Sequence, residues 1–258
     1  MTGKSDWKLI WVTGASQGMG RALCLALARD GYTVAATARN EQSLGVLAEE
    51  SISLNGAIHP FPADLTQSGE NQRVIAEIQQ QLGSIDLAVL NAGTHRPTPA
   101  TDFRADDVKE LIDLNLMAAV HAIEALLPGM MDRNSGHIAA VASVAGYRGL
   151  PTAAGYGASK AALIHLCEAL TLDLSDTDLK IQVINPGFVK TPLTDRNPFP
   201  MPFLVSAEVA ADAIIKGLGK NHFEIKFPWL FTSILKTLRL LPYWIYFPWV
   251  KRFTQSEK

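Results

Sequence analysis

The 258-residue sequence has little of what builds disulfide frameworks, metal centres or nucleic-acid surfaces. Its two cysteines, Cys24 and Cys167, fall in separate helical stretches far apart in the chain. A disulfide framework is therefore not expected, and a reducing compartment is. The six histidines show no H-x-x-x-H spacing and no pairing with cysteine, so no metal site is expected. Lys and Arg number 23 against 25 Asp and Glu, a formal net charge of -2, which gives no electrostatic reason to expect a nucleic-acid partner. There is no internal repeat, low-complexity tract or long linker. No apolar run follows a basic start, so no secretory signal is expected and the chain reads as cytoplasmic.

What is present is a globular composition, 48% hydrophobic and 19% charged, in a chain long enough for one large α/β domain. Short apolar runs at 9–12, 33–37, 57–62, 86–90, 137–141 and 180–184 read as strands. Between them lie helical patterns at 20–30, 41–54, 67–82, 105–131 and 153–174, and Ser206 caps a further one running to 220. Such alternation implies α/β architecture: a single doubly wound parallel sheet with helices on both faces. Ligands of such sheets sit beyond the carboxyl ends of the strands.

The first strand runs into Gly14-Ala15-Ser16-Gln17-Gly18-Met19-Gly20, a G-x-x-x-G-x-G spacing. Glycines there allow positive φ and close backbone approach, and the following helix offers free N–H groups to a pyrophosphate. A plain glycine turn would show the same spacing. At the end of the second strand, Thr37-Ala38-Arg39-Asn40 holds no acid and one cation. A carboxylate at that point selects NAD, and an arginine accommodates the 2′-phosphate of NADP, so NADP is favoured with NAD still open. Arg39 as an ordinary solvated residue is the alternative.

Tyr156 and Lys160 stand at i and i+4 of a helical stretch and so share one face. An ammonium beside a phenol favours phenolate and lowers its pKa, the tuning that general acid–base chemistry requires. Ser143 follows the 137–141 strand and puts a hydroxyl at the same sheet edge. His165 and Cys167 read as packing or surface residues rather than a nucleophilic pair.

With these motifs in order, residues 7 to 228 resemble the short-chain dehydrogenase/reductase family, whose fold is Rossmann-type. The resemblance is carried by Thr13-Gly14 through Gly20, Asp64-Leu65, Asn91-Ala92-Gly93, Asn115, Ser143, Tyr156 with Lys160, and Asn185-Pro186-Gly187. It implies that Tyr156 transfers the proton on the substrate oxygen and that Ser143 orients that oxygen. Lys160 would lower the tyrosine pKa and bind the nicotinamide ribose. Asn115 would interrupt its helix to hold a water linking Lys160 to solvent, although an Asn bonded only to its own backbone fits the sequence too. Asp64 and Leu65 would border the adenine, and Asn91, Ala92 and Gly93 would support the cofactor floor. Pro186 and Gly187 would approach the nicotinamide, and Thr191 its carboxamide or the phosphates. Two positions depart from the family pattern: Leu90 stands where Asn is frequent, and Gln17 where NADP users often carry a basic residue.

The family resemblance also implies a substrate lid over 188–205, made apolar by Phe199, Met201 and Phe203, and assembly into dimers or tetramers. A stiff surface loop is the plainer account of that stretch. Residues 229–258 extend beyond the family core and are read as a separate segment. Lys236, Arg239, Pro242 and Pro248 interrupt it, which excludes a membrane span. Leu230, Phe231, Ile234, Leu235, Leu238 and Leu241 would form one apolar helix face, with Trp244, Tyr246, Trp249, Lys251 and Arg252 an interfacial cluster. Attachment to a membrane surface and packing against the core or another subunit are both open for it. The reading is an NADP-dependent ketone reductase or alcohol dehydrogenase for a hydrophobic, lipid-like substrate. A nucleotide sensor or scaffold on the same fold, and a sugar-nucleotide epimerase, are the alternatives.

Overall fold

The computed structural model describes residues 6–194 and 201–255, so Phe199 lies outside the described residues. Among them, strands β1 (Leu9–Thr13), β2 (Thr33–Thr37), β3 (Ala57–Pro60), β4 (Leu87–Leu90), β5 (Gly136–Val141), β6 (Leu179–Pro186) and β7 (Glu224–Phe227) form one parallel sheet. Nine α-helices accompany them: α1 (Gly18–Arg29), α2 (Glu41–Ser51), α3 (Glu70–Leu82), α4 (Ala105–Ile112), α5 (Ala118–Asp132), α6 (Ala154–Asp173), α7 (Ala207–Leu218), α8 (Trp229–Leu238) and α9 (Tyr243–Gln255).

The strand order β3-β2-β1-β4-β5-β6-β7 makes the chain reverse direction across the sheet between β1 and β4. A crevice opens there at the carboxyl ends. Central strands are buried on both faces, and alternate residues feed two cores. In β1, Leu9 and Trp11 join α3, α5 and α6 on one side, while Ile10 and Val12 join α1, α2 and α7 on the other. The doubly wound sheet expected from the alternation is present. Cys24 and Cys167 are buried free thiols in opposite cores, raised by burial and held away from thiolate chemistry. His165 is exposed on the outer side of α6, so it forms no pair with Cys167.

Three features differ from the sequence reading. Strand β7 was not expected: its Glu-Ile-Lys-Phe run is only four residues long and buries just Ile225 and Phe227. The 105–131 helix forms, but a π-helical turn at Asp113–Met117 divides it into α4 and α5. Although Ala105–Asp132 is long and apolar enough to cross a membrane, Ala118, Ala122, Ile123, Leu126 and Met130 are spent on the core.

The tail packs differently from the single apolar face expected of it. Phe231, Thr232 and Leu235 of α8 turn toward the core, whereas Leu230 and Ile234 point outward. Lys236 stays exposed but reaches back to Glu224 of β7, its ion-pair partner. In α9 Tyr246 does not belong to an exposed cluster: it is 2% exposed, and its hydroxyl donates to the Gly149 carbonyl at 2.7 Å. Arg148 joins the two helices. Its guanidinium donates to the carbonyls of Leu238 (2.8 Å), Arg239 (3.1 Å) and Leu241 (2.6 Å) at the end of α8, and sits 3.9 Å from the centroid of the Tyr246 ring. A cation at the negative end of a helix is favourable, and carbonyls there lack the i+4 N–H partners of the helix interior. Replacing Arg148 by Ala should cost about 1–3 kcal/mol, read as a lower urea midpoint at unchanged m-value. An unaltered midpoint would show that the tail is held by apolar contact alone.

Candidate active site

The crevice at the sheet reversal begins with a backbone clamp. Thr13 ends β1, and its hydroxyl accepts from the backbone N–H groups of Asn91 and Ala92, both at 2.9 Å. The Asn91 side-chain amide donates back to the carbonyls of Thr13 (3.0 Å) and Gly14 (3.2 Å). Gly14 takes φ +65°, and a Cβ at Gly20 would lie 2.3 Å from the Gly14 oxygen and 2.5 Å from Asn91 Nδ2. Only glycine fits at 20. The helix that follows has no capping side chain at Gln17 and no acid in its first turn. Its first N–H groups, at Gly18, Met19 and Gly20, border the crevice with positive dipole and no protein acceptor from the cap.

At one end of the crevice the β2 terminus supplies the side chains. Thr37 is buried and accepts from the Trp11 indole at 2.9 Å, so its hydroxyl serves the core. Arg39 is exposed at the rim, and Asn40 caps α2 by accepting from Ser43 N at 2.9 Å. Asp64 lies opposite. Burial would raise its carboxyl, but hydrogen bonds from the Thr66 hydroxyl and N–H and the nearby Arg39 charge outweigh it and hold it below the usual range.

At the other end three elements meet. Ser143, just past β5, has extended backbone, and its hydroxyl accepts from Ala145 N at 3.1 Å to start a short 3-10 turn. Helix α6 lacks a cap of its own at Ala153. Thr98 supplies one from a distant loop, its hydroxyl accepting from Gly155 N at 2.9 Å. That fixes the turn carrying Tyr156. Lys160 is 3% exposed, with Nζ donating to the Val141 carbonyl at 2.8 Å and standing 5.9 Å from the Tyr156 ring centroid. Gly93 arches over both Lys160 Nζ and Asn115 Oδ1, where a Cβ would lie 3.4 and 3.1 Å away. Asn115 sits in the π-turn, its Oδ1 accepting from Thr94 N (2.7 Å) and its Nδ2 donating to Thr94 O (2.9 Å) and Ser159 Oγ (3.1 Å). It bonds across to a loop and to α6, not to its own helix.

One cleft of about 440 Å³ therefore brings together Gly14, Ser16, Gln17, Gly18, Met19, Gly20, Arg39, Asp64, Leu65, Asn91, Ala92, Gly93, Tyr156, Lys160, Pro186, Gly187 and Thr191. Asn115 and Ser143 stand just behind its wall. Sequence reasoning did not find Ser43, Thr94, Leu114, Val189 or Thr194, which also line it. It also missed His95, whose ring meets Tyr156 edge-on at 4.9 Å and 86°. Burial lowers its imidazole pKa, favouring the neutral ring. The position of His95, two residues past Gly93, was the only signal, and it carries no chemistry of its own.

The family model for short chain dehydrogenase matches residues 8–198. The chain belongs to the short-chain dehydrogenase family. An uncharacterized oxidoreductase of Myxococcus xanthus is 38% identical over 237 residues, covering 92% of this chain and 94% of the relative. Two solved short-chain dehydrogenases share the fold. One, from Sphingobium yanoikuyae in complex with NADPH, has a TM-score of 0.80 at 24% identity, covering 90% of this chain and 91% of its own. The other, from Burkholderia phymatum in complex with NAD, has a TM-score of 0.82 at 22% identity, covering 90% and 92%.

In this short-chain dehydrogenase the charge in the cleft is held at a cost. Burial pushes the Lys160 ammonium down to about 8 from 10.5. The Tyr156 phenol moves upward, because burial outweighs the hydrogen bond with Ser143 that pulls it down. Lys160 contributes nothing to that balance; its ammonium donates to Val141. For Lys160 the unfolded chain binds more protons between about pH 8 and 10.5, so stability rises across that window and the full penalty applies below it. That penalty is on the order of 3 kcal/mol. Lys160→Met removes it while leaving the Val141 carbonyl unpaired, about 1–3 kcal/mol in the other direction. Its melting temperature at pH 7 should match or exceed that of the native protein, with the rise between pH 8 and 10 lost. A melting point several degrees lower would refute the account.

Proposed function

We propose that the protein is an NADP(H)-dependent ketone reductase, or alcohol dehydrogenase in the reverse direction, acting on a hydrophobic substrate. The observation that carries the reading is the meeting of Tyr156 and Lys160, with Ser143 hydrogen-bonded to Tyr156 behind them, at one end of a cleft whose other end has the features of a pyrophosphate site. The uncapped α1 N-terminus and the Gly14/Gly20 approach fit the pyrophosphate of a dinucleotide. Both nicotinamide forms occur on this fold, as the two structural neighbours illustrate, so the choice rests on the ribose end. Arg39 stands exposed there, and β2 ends without an acid, which favours the 2′-phosphate.

A bound reduced nicotinamide supplies the hydride. Tyr156 gives its phenolic proton to the carbonyl oxygen as negative charge develops there, and Ser143 donates a hydrogen bond to the same oxygen. Lys160 then stands beside the phenolate left behind, where its charge is stabilising and its buried ammonium gains a partner. Asn115 holds the Thr94 loop against α6, the helix that carries Tyr156 and Lys160. Thr191 and the Pro186–Gly187 backbone lie where the nicotinamide end would rest. Leu114, Val189 and Leu193 give the cleft apolar wall, and Phe188 and Phe203 each pack, tilted, against Phe231 beside Gly187. These surfaces support an apolar substrate. Work in the cytoplasm as a dimer or tetramer belongs to the same proposal. A nucleotide sensor would have no use for the proton-transfer groups.

Tyr156→Phe should lower kcat by roughly 100- to 10,000-fold in an NADPH-linked assay over a panel of ketones, while nucleotide affinity by fluorescence titration stays nearly unchanged. Retained turnover would remove Tyr156 from its role. Arg39→Asp should shift the NADP/NAD ratio of kcat/KM toward NAD by roughly tenfold or more. An unmoved ratio would overturn the ribose assignment.

A further inference from the structure

We propose that the outward side of α8 and α9 docks on an anionic lipid surface. The molecule's exposed large apolar side chains concentrate there. Trp229, Leu230, Ile234, Tyr243, Trp244 and Phe247 are all exposed, and Leu240, between the helices, is 82% exposed. Apart from Tyr243, whose ring lies 4.9 Å from the Arg148 guanidinium, and Phe247, whose ring meets Tyr243 and Tyr246, they are not the residues that hold the tail to the body. That task falls to Phe231, Thr232, Leu235 and Tyr246 on the inward side and to the Arg148 bridge. The outward side is thus presented on helices whose other side is already anchored. An apolar area of this kind on a soluble fold marks an interaction surface.

Charge decides what it meets. No Asp or Glu occurs from 225 to 256, whereas Lys226, Lys236, Arg239, Lys251 and Arg252 do. Residues 225–258 carry a net +5 in a chain of net -2, so the rest of the chain carries -7. Glu224 neutralises Lys236, and the segment remains cationic after that pairing. Two copies meeting through this side would bring like charges together, which disfavours self-association. An anionic bilayer instead attracts the cationic segment and repels the acidic body, so only one orientation is favoured. Tryptophan and tyrosine beside arginine and lysine are the side chains that settle at the headgroup level.

The surface also borders the cleft. Phe231 on the inward side of α8 packs, tilted, against Phe203 (5.9 Å) and Phe188 (5.5 Å), and a Cβ at Gly187 would lie 2.9 Å from its ring. Phe203 and Leu204 are themselves exposed. An apolar molecule leaving a bilayer would meet the cleft within one layer of aromatic side chains. This last consequence rests on the proposed hydrophobic substrate; docking itself does not.

The test is co-sedimentation of the full-length protein with phosphatidylcholine vesicles, with and without roughly one third phosphatidylglycerol. The companion variants are Leu240→Ser/Trp244→Ser and, as a control on an exposed apolar residue elsewhere, Ile52→Ser. The native protein and Ile52→Ser should bind the anionic vesicles, more weakly in high salt and weakly to neutral ones. The double variant should partition at least about tenfold less, with an unchanged urea midpoint. No binding to anionic vesicles overturns the proposal, as does equal binding by the double variant. A dimer in light scattering that the double variant dissociates, without vesicle binding, assigns the surface to a second copy instead. Because no turnover is measured, failure here leaves the reductase reading standing, and failure of that reading leaves this result intact.

Discussion

Everything at the cleft depends on how Asn91 and Thr13 hold the carboxyl ends of β1 and β4 together. Four hydrogen bonds cross between these two residues and their neighbours, all at the place where the sheet reverses its order. The clamp sets the height of the glycine cradle, because Gly20 must pass beneath the Asn91 amide and the Gly14 carbonyl. It also launches Gly93 and Thr94 over the far end, where they touch Lys160 and Asn115. Both the glycine-cradle end and the Tyr156/Lys160 end of the cleft thus hang from one polar knot in an otherwise apolar sheet.

A buried ammonium is the second constraint. Lys160 is enclosed with a single carbonyl for company, an arrangement that opposes stability below about pH 8. Functional sites commonly hold such a group, and the surrounding structure has to over-determine it. Here the supports are visible: Thr98 pins the start of α6 from 57 residues away, Ser159 ties α6 to Asn115, and the π-turn brings Asn115 to that contact. A regular helix through 113–117 would rotate Asn115 relative to α6, since each extra residue in a turn shifts the following face by about 100°.

The tail extends the fold at the β7 edge. Glu224 receives Tyr147, Asn185 and Lys236, so one carboxylate connects the loop after β5, the end of β6 and α8. Its carboxyl is held below its usual value: burial raises it, and the bonds from Lys236, Tyr147 and Asn185 outweigh that. Phe231 joins the same body to Phe188 and Phe203. The last helices are therefore part of the architecture around the cleft.

Strand–helix alternation, the glycine spacing at 14–20, and the Tyr156/Lys160 pair were legible in the sequence, because each is local: period, turn chemistry and i,i+4 geometry need no distant partner. The short edge strand β7 was not legible, since four residues with two buried positions carry too little pattern. The tail's inward face was read wrongly for a related reason. Leu230 and Ile234 equal Phe231 and Leu235 in apolarity, and only contact with the body decides which pair is covered. The direction of the Tyr156 pKa, the His95 ring against Tyr156 and the Thr98 cap are also tertiary facts. Burial, ring contact and capping across 57 residues arise when separate segments meet, and no window of sequence contains both partners.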